Sequence, residues 1–396
     1  MRGKVSHHLR DLHEKYGPVV RVRPNELSYI DEQAWNDIYG HKSPNGTGNL
    51  PKEDRRFRKD KNNIATIATA NDADHRRLRR IQRPMFSDKA IAAQEEFIIS
   101  YCEQLTSCLM EKANSSSNTV DMVLWYTYLT FDILGELAFG ASFDGLKSNV
   151  LDPWIQSRLL FFRDIVFWSA SNNFIFPLNK ILYRLSPKDS RDAWFRRNEL
   201  ANRKISDREI RNSDSQKIDF MSHILQHNDE KGMTDTEIQL NASILIIAGS
   251  ETVSTLLSGL TYFLLRDRKY LEEVTNLIRT TFPSKKDITL LELNKLEYLN
   301  NIINESLRLY PPAPSQLLRR TNKGGSVICG EVVPEYTTVS IPILTANTSP
   351  LNWADPMKFV PERWYKDERC PERYRSDKRK AMQPFSQGPR NCIGKK

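Results

Sequence analysis

The chain has 396 residues, 39% hydrophobic and 27% charged, the balance of a folded globular protein and not of a disordered or fibrous one. Its five cysteines, Cys102, Cys108, Cys329, Cys370 and Cys392, are few, odd in number and irregularly spaced. They form no disulfide framework or zinc ribbon, and reduced, cytosol-facing thiols are the default. The net charge of +9 favours an acidic protein, an anionic membrane or nucleic acid as partner, against the plain alternative of a solvated surface.

The opening stretch, MRGKVSHHLRDLHEKYG, is neither a signal peptide nor a membrane span. Without a secretory signal, the sequons at Asn45 and Asn114 read as chance matches. GPVVRVRPNELSYI predicts two short strands joined at Pro24-Asn25, and DEQAWNDIYG a short helix. Residues 41–63 are polar and turn-rich, a long loop. From Asp72 to about Leu225 the pattern is mainly helical. Ser87-Asp88 opens one helix, and an apolar run ending at Gly140 forms another. Thr234 and Glu237 make a capping box at the head of a helix running to Leu265. LNKLEYLNNIINESLRLY predicts one further helix, stopped by Pro311-Pro312. SQLLRRT, SVICGEVV and TTVSIPIL then read as strands punctuated by Gly and Pro. The sum is mainly α, with a minor sheet drawn from both ends of the chain.

The segment Asn241–Leu265 is long enough to span a membrane. Glu251 in its middle argues instead for a helix buried through a large domain. Ala248-Gly249 presents almost no side chain, so a flat ligand can lie close to the backbone. Glu251-Thr252 sets an acid beside a hydroxyl, a pair able to relay protons, although buried helices also use Thr as a plain hydrogen bonder. Glu305 and Arg308 lie three apart on a helix in an apolar context, so they need full pairing. Arg363, in FVPERW, offers a second arginine in a rigid setting. In FSQGPRNCIG, Gly388 permits a tight turn and Gly394 a close backbone approach. Phe385 can shield sulfur, and main-chain N–H groups with Arg390 favour the Cys392 thiolate. Taken alone, Cys392 is open to three readings: an inert thiol, a nucleophile or an iron ligand. No histidine is marked as a base for it.

Together these segments resemble the cytochrome P450 haem-thiolate monooxygenases. The pattern Phe-x-x-Gly-x-Arg-x-Cys-x-Gly is matched by Phe385, Gly388, Arg390, Cys392 and Gly394. Ala248-Gly-Ser-Glu-Thr252 matches the oxygen-activation segment. Glu305-x-x-Arg308 and Arg363 match a structural Glu–Arg–Arg triad. YGPVVRVRPNELSYI, DHRRLRR and FDILGELAFGASFDGL look like filamentous-fungal members of secondary metabolism.

The resemblance implies one domain over residues 1–396, with a large helical lobe and a small β-rich lobe. An N-terminal membrane anchor and a helix after the cysteine loop are expected outside the present sequence. It implies haem b with Cys392 as the axial iron ligand, and Ala248 and Gly249 facing the haem. Glu251 and Thr252 would deliver protons during oxygen activation. His75, Arg79, Arg319 and Arg390 would hold the propionates, His75 standing where many members carry tryptophan. The implied reaction consumes O2 and a hydrophobic small molecule, with electrons from NADPH through an acidic reductase. The full-length protein is expected on the cytosolic face of the endoplasmic reticulum membrane. Two alternatives stand beside it: a haem-thiolate isomerase or dehydratase, and a catalytically dead haem-binding fragment. The basic run Arg76, Arg77, Arg79, Arg80 and Arg83 has no aromatic interleaving, which argues against nucleic acid. It suits the reductase-docking face, to which Asp377–Lys380 is expected to add.

Overall fold

The computed structural model describes residues 4–41, 48–53, 64–114, 119–192, 220, 224 and 232–395. Most of the expected 41–63 loop, the Asn45 sequon and most of residues 193–231 lie outside these. The chain divides into two compact units, one of residues 1–53 with 255–395, the other of 54–254.

The first unit begins with helix α1 (Val5–Tyr16), strands β1 (Val19–Arg23) and β2 (Glu26–Tyr29), and α2 (Glu32–Tyr39). The β1–β2 turn falls at Pro24-Asn25, where proline presets a turn and cannot donate to a ladder. Asp31 caps α2 by accepting from the Gln33 N–H.

The second unit is helical: α3 (Asp72–Gln82), α4 (Asp88–Ala92), α5 (Glu95–Ala113), α6 (Met122–Phe139), α7 (Gly145–Ser148), α8 (Pro153–Ser171), α9 (Leu178–Arg184) and the start of α10 (Asp235–Arg266). Asp121 caps α6 and Gly140, left-handed at φ 63°, ends it. Asp132 of α6 is buried and accepts from Gly145 N–H (3.0 Å) and Leu146 N–H (2.9 Å), which ties down α7. Helix α10 is long and apolar enough to cross a membrane by length and composition. Polar ties run along its first half: Asn241 accepts from Ile67 N–H at 2.8 Å, and the Ser250 hydroxyl donates to Thr130 O at 3.1 Å. The boundary between units falls inside α10, after Ser254.

The rest of the first unit holds α11 (Arg268–Thr281), α12 (Leu290–Lys295), α13 (Glu297–Leu309), β3 (Arg319–Arg320), β4 (Ser326–Ile328), β5 (Glu331–Val333), β6 (Thr338–Ser340) and α14 (Ile343–Thr348). Its four-stranded sheet runs β1-β2-β6-β3. β2 and β6 pair in parallel, Leu27 opposite Val339, and β3 pairs antiparallel to β6, Arg319 opposite Val339. β4 and β5 form a separate hairpin.

Two expectations are corrected here. The single helix over LNKLEYLNNIINESLRLY is two, α12 and α13, broken at Leu296 (ψ 92°). The Asn300 side chain donates to the carbonyls of Asn294 and Leu296, satisfying the ends at that break. In TTVSIPIL only Thr338–Ser340 is strand; past Pro342 the chain coils into α14, whose first helical position follows a residue lacking an N–H.

Candidate functional site

The buried charge network lies wholly in the first unit. Glu305, Arg308 and Arg363 are each 0% exposed. Arg308 forks onto Glu305 with Nε–H to Oε2 at 2.8 Å and Nη2–H to Oε1 at 2.7 Å. Arg363 Nε donates to Glu305 Oε1 at 3.1 Å. The remaining donors of Arg308 go to the carbonyls of Asn347, Pro356 and Lys358. Two members are absent from the sequence-level triad. Asp377 pairs with Arg363 Nη1, and Trp364 Nε1 donates to Glu305 Oε2 at 3.0 Å. Asp377 sits in a charged run that marks no burial, so nothing in the sequence singles it out. Its pairing removes Asp377 from the expected docking surface. Arg379 also turns inward, placing Nη2 3.3 Å from the Cys370 sulfur, which leaves Lys378 and Lys380 as the exposed charges of that run.

The network braces the segment entering the cysteine loop. Phe385 packs with Leu307, Trp353 and Met382, and its carbonyl accepts the Cys392 N–H at 2.8 Å. That bond closes the loop. Between them Ser386 (φ 56°) and Gly388 (φ 71°) are left-handed, and Gly388–Arg390 makes a single tight turn. A Cβ at Gly388 would meet Tyr39 O at 1.9 Å, so both conformation and space demand glycine. Cys392 and Gly394 are exposed, and Arg390 is partly buried. Arg319, 5% exposed, sits on β3 with its guanidinium 5.2 Å from the centre of the Tyr39 ring.

In the second unit, α10 is buried at Ile246, Ile247 and Ser250, yet Ala248, Thr252 and Val253 are exposed. Ala248 and Thr252 are four apart and share a face. The Thr252 hydroxyl donates back to Ala248 O at 2.6 Å. Glu251, partly buried, is about 100° around the helix from Thr252, so adjacency in sequence does not put the two side chains on one face. Gly249 also differs from Ala248. A Cβ there would meet the Leu134 side chain at 3.1 Å, so this glycine admits α6. The face without bulk is Ala248's.

On α3, His75 is buried and Arg79, one turn later, partly buried. Helical periodicity splits the arginine run. Arg76, Arg80 and Arg83 are exposed at spacings of four and seven. Arg77 instead bonds Glu237 at 2.5 Å and the Gly232 carbonyl. Against the cost of burial, Arg77 and the Thr234 N–H hold the Glu237 carboxyl below its ordinary range. This is the capping box of α10, with Glu237 N–H on Thr234 Oγ1 at 3.3 Å and Thr234 N–H on Glu237 Oε2 at 3.0 Å.

The family model for cytochrome P450 matches residues 1–396. The chain belongs to the cytochrome P450 family. Cytochrome P450 monooxygenase aclL of Aspergillus oryzae is 38% identical over 99% of this chain and 78% of its own length. Cytochrome P450 monooxygenase astA of Talaromyces wortmannii is 39% identical over 97% of the chain and 76% of its own length. Cytochrome P450 monooxygenase lcsI of Purpureocillium lilacinum is 38% identical over the whole chain and 76% of its own length. This P450 is therefore a mainly α oxidoreductase, a monooxygenase that uses haem iron, O2, a substrate and a redox partner.

The P450 residues fit haem. Among the described residues no group of three His, Cys, Asp or Glu converges as a metal site, whereas iron already held in a macrocycle needs one protein ligand. Cys392 is an exposed thiol on a braced loop, Arg319 is a buried cation suited to a carboxylate, and the Ala248 face of α10 is bare.

Proposed function

We propose that this P450 inserts one oxygen atom from O2 into a hydrophobic small molecule of secondary metabolism. Electrons come from NADPH through an acidic reductase, and the second oxygen atom leaves as water. The observation that carries the reading is the exposed Cys392 thiol on a loop closed by its own N–H. When bound, haem supplies the oxygen chemistry, and thiolate donation to its iron assists O–O cleavage, as is general for this family.

The protein's own groups bind, orient and move protons. Cys392 ligates iron, and Phe385, Gly388 and Gly394 shape its loop. Arg319 and Arg390, with His75 and Arg79, hold the propionates. Ala248 leaves room, and Gly249 sets the approach of α6 to it. Thr252 Oγ1 handles the proton at the bare face of α10. Its hydroxyl must swing away from Ala248 O to donate elsewhere, which a χ1 rotation accomplishes. Glu251, on the adjoining face, supplies that proton from the solvent side.

The exposed apolar run Phe174, Ile175 and Phe176, continued by Leu178, Ile181 and Leu185, supports membrane association, with Lys180 and Arg184 beside it for anionic headgroups. We place the protein on the cytosolic face of the endoplasmic reticulum.

The test is the absorption spectrum of the reduced protein with carbon monoxide, followed by turnover. A strongly red-shifted Soret band and strict dependence on NADPH and reductase are expected. Haem-loaded protein without that band would refute Cys392 ligation. Turnover without NADPH or reductase would mark a haem-thiolate isomerase or dehydratase instead.

A further inference from the structure

Helix α2 enters neither the sequence motifs nor the reaction, yet its inner face has three separate attachments. Trp35 and Tyr39 are four residues apart and share a face. Both are buried, and their rings lie 5.1 Å apart. Trp35 Nε1–H donates to Ala381 O at 2.9 Å, where the chain enters the cysteine loop. The Tyr39 carbonyl lies against Gly388, at the turn of that loop. The helix therefore meets the loop at its entrance and at its bend.

The Tyr39 side chain reaches in another direction. Its hydroxyl donates to Leu317 O at 2.7 Å and accepts from Ile341 N–H at 3.1 Å. The Arg319 guanidinium stacks over its ring. Burial pushes the phenol up to about 12, so the hydroxyl keeps its proton and remains a donor.

We propose that Trp35 and Tyr39 are positioning residues that hold the Cys392 loop and the Arg319 strand in one fixed register. The proposal rests on the ligand roles given above to Cys392 and Arg319. The Trp35 bond to Ala381 O and the Ile341 N–H bond to Tyr39 Oη are buried, so losing either leaves a buried backbone group short of a partner and gives its segment a reason to move. Ligands held by outer partners lose metal affinity when those partners go.

Two measurements on the full chain decide it: amide hydrogen exchange across residues 384–392, and haem retention with its spectrum. Trp35→Phe removes the indole bond and keeps an aromatic ring. Tyr39→Phe keeps the ring under Arg319 and the carbonyl at Gly388 but removes both hydroxyl bonds. Ile38→Val, buried on the same helix, loosens the core without touching these bonds. Trp35→Phe is expected to speed exchange at the Cys392 amide. It should also raise haem transfer to a scavenger roughly tenfold and move part of the carbon monoxide band to the blue. Tyr39→Phe is expected to leave that band in place and lower the reduction potential, because Arg319 drifts from the propionates. Ile38→Val should lower only the melting temperature. If both aromatic variants behave like Ile38→Val, the proposal is overturned. If the wild-type protein itself lacks the red-shifted band, the Cys392 role fails. Exchange in Trp35→Phe against Ile38→Val then still decides whether α2 holds the loop.

Discussion

Single residues divide by how much of their role is local. Cys392 is recognisable in sequence only through the ten-residue pattern it shares with the family, since a thiol between turn-forming glycines is by itself open to three readings. Thr252 is only half legible, since its neighbour Glu251 turns to another face and its hydroxyl bonds Ala248 O. Thr252→Ala is expected to keep NADPH consumption while diverting it to peroxide. The readout is product formed per NADPH, and unchanged coupling would remove Thr252 from proton delivery. His13 was not legible at all. It is 1% exposed, between Gly17 O at 2.9 Å and Ser28 Oγ at 2.8 Å. Burial lowers its pKa from 6.5, against the opposing Gly17 bond. The unfolded chain therefore binds a proton that the folded one refuses. The His13 contribution is intact above pH 6.5 and is lost as pH falls below it. His13→Gln should flatten the loss of urea midpoint between about pH 7 and pH 5; an unchanged slope would assign that loss to other groups.

Elements show what periodicity and punctuation can do. The starts at Ser87 and Thr234 and the stop at Gly140 are readable, because a cap acts on N–H or C=O groups within one turn. The break at Leu296 is not, since no Gly or Pro marks it and Asn300 supplies the missing bonds from a turn away. The cysteine loop is fixed twice over at Gly388. Gly388→Ala would both force an L-residue to φ 71° and drive a Cβ into Tyr39 O. Loss of haem loading from otherwise helical protein is expected, seen by pyridine haemochrome content beside circular dichroism; full loading would show that the loop can yield. The charge network makes a second prediction at this scale. Asp377→Ala strips one partner from a buried Arg363 and should cost about 3 kcal/mol in urea unfolding. A cost near zero would mean that water replaces the carboxylate.

At the scale of the whole molecule, charge acts through faces. Arg76, Arg80 and Arg83 remain outward on and just after α3 after Arg77 is spent on Glu237. Arg76→Glu with Arg80→Glu should slow electron delivery from an acidic reductase, most at low salt, where screening is weakest. Stopped-flow reduction that is equally fast at all ionic strengths would place docking elsewhere. The family, the reaction class and the candidate iron ligand could be read along the chain, because each rests on residues that act within a loop or a helical turn. Packing alone selected the rest. It assigned Asp377 and Trp364 to Glu305, gave Gly249 to α6 and Ala248 to the open face, and set Trp35 and Tyr39 of α2 against a loop some 350 residues away. Such pairings have no local signature. They exist only where burial removes water and obliges each polar group to find a partner from a distant part of the chain.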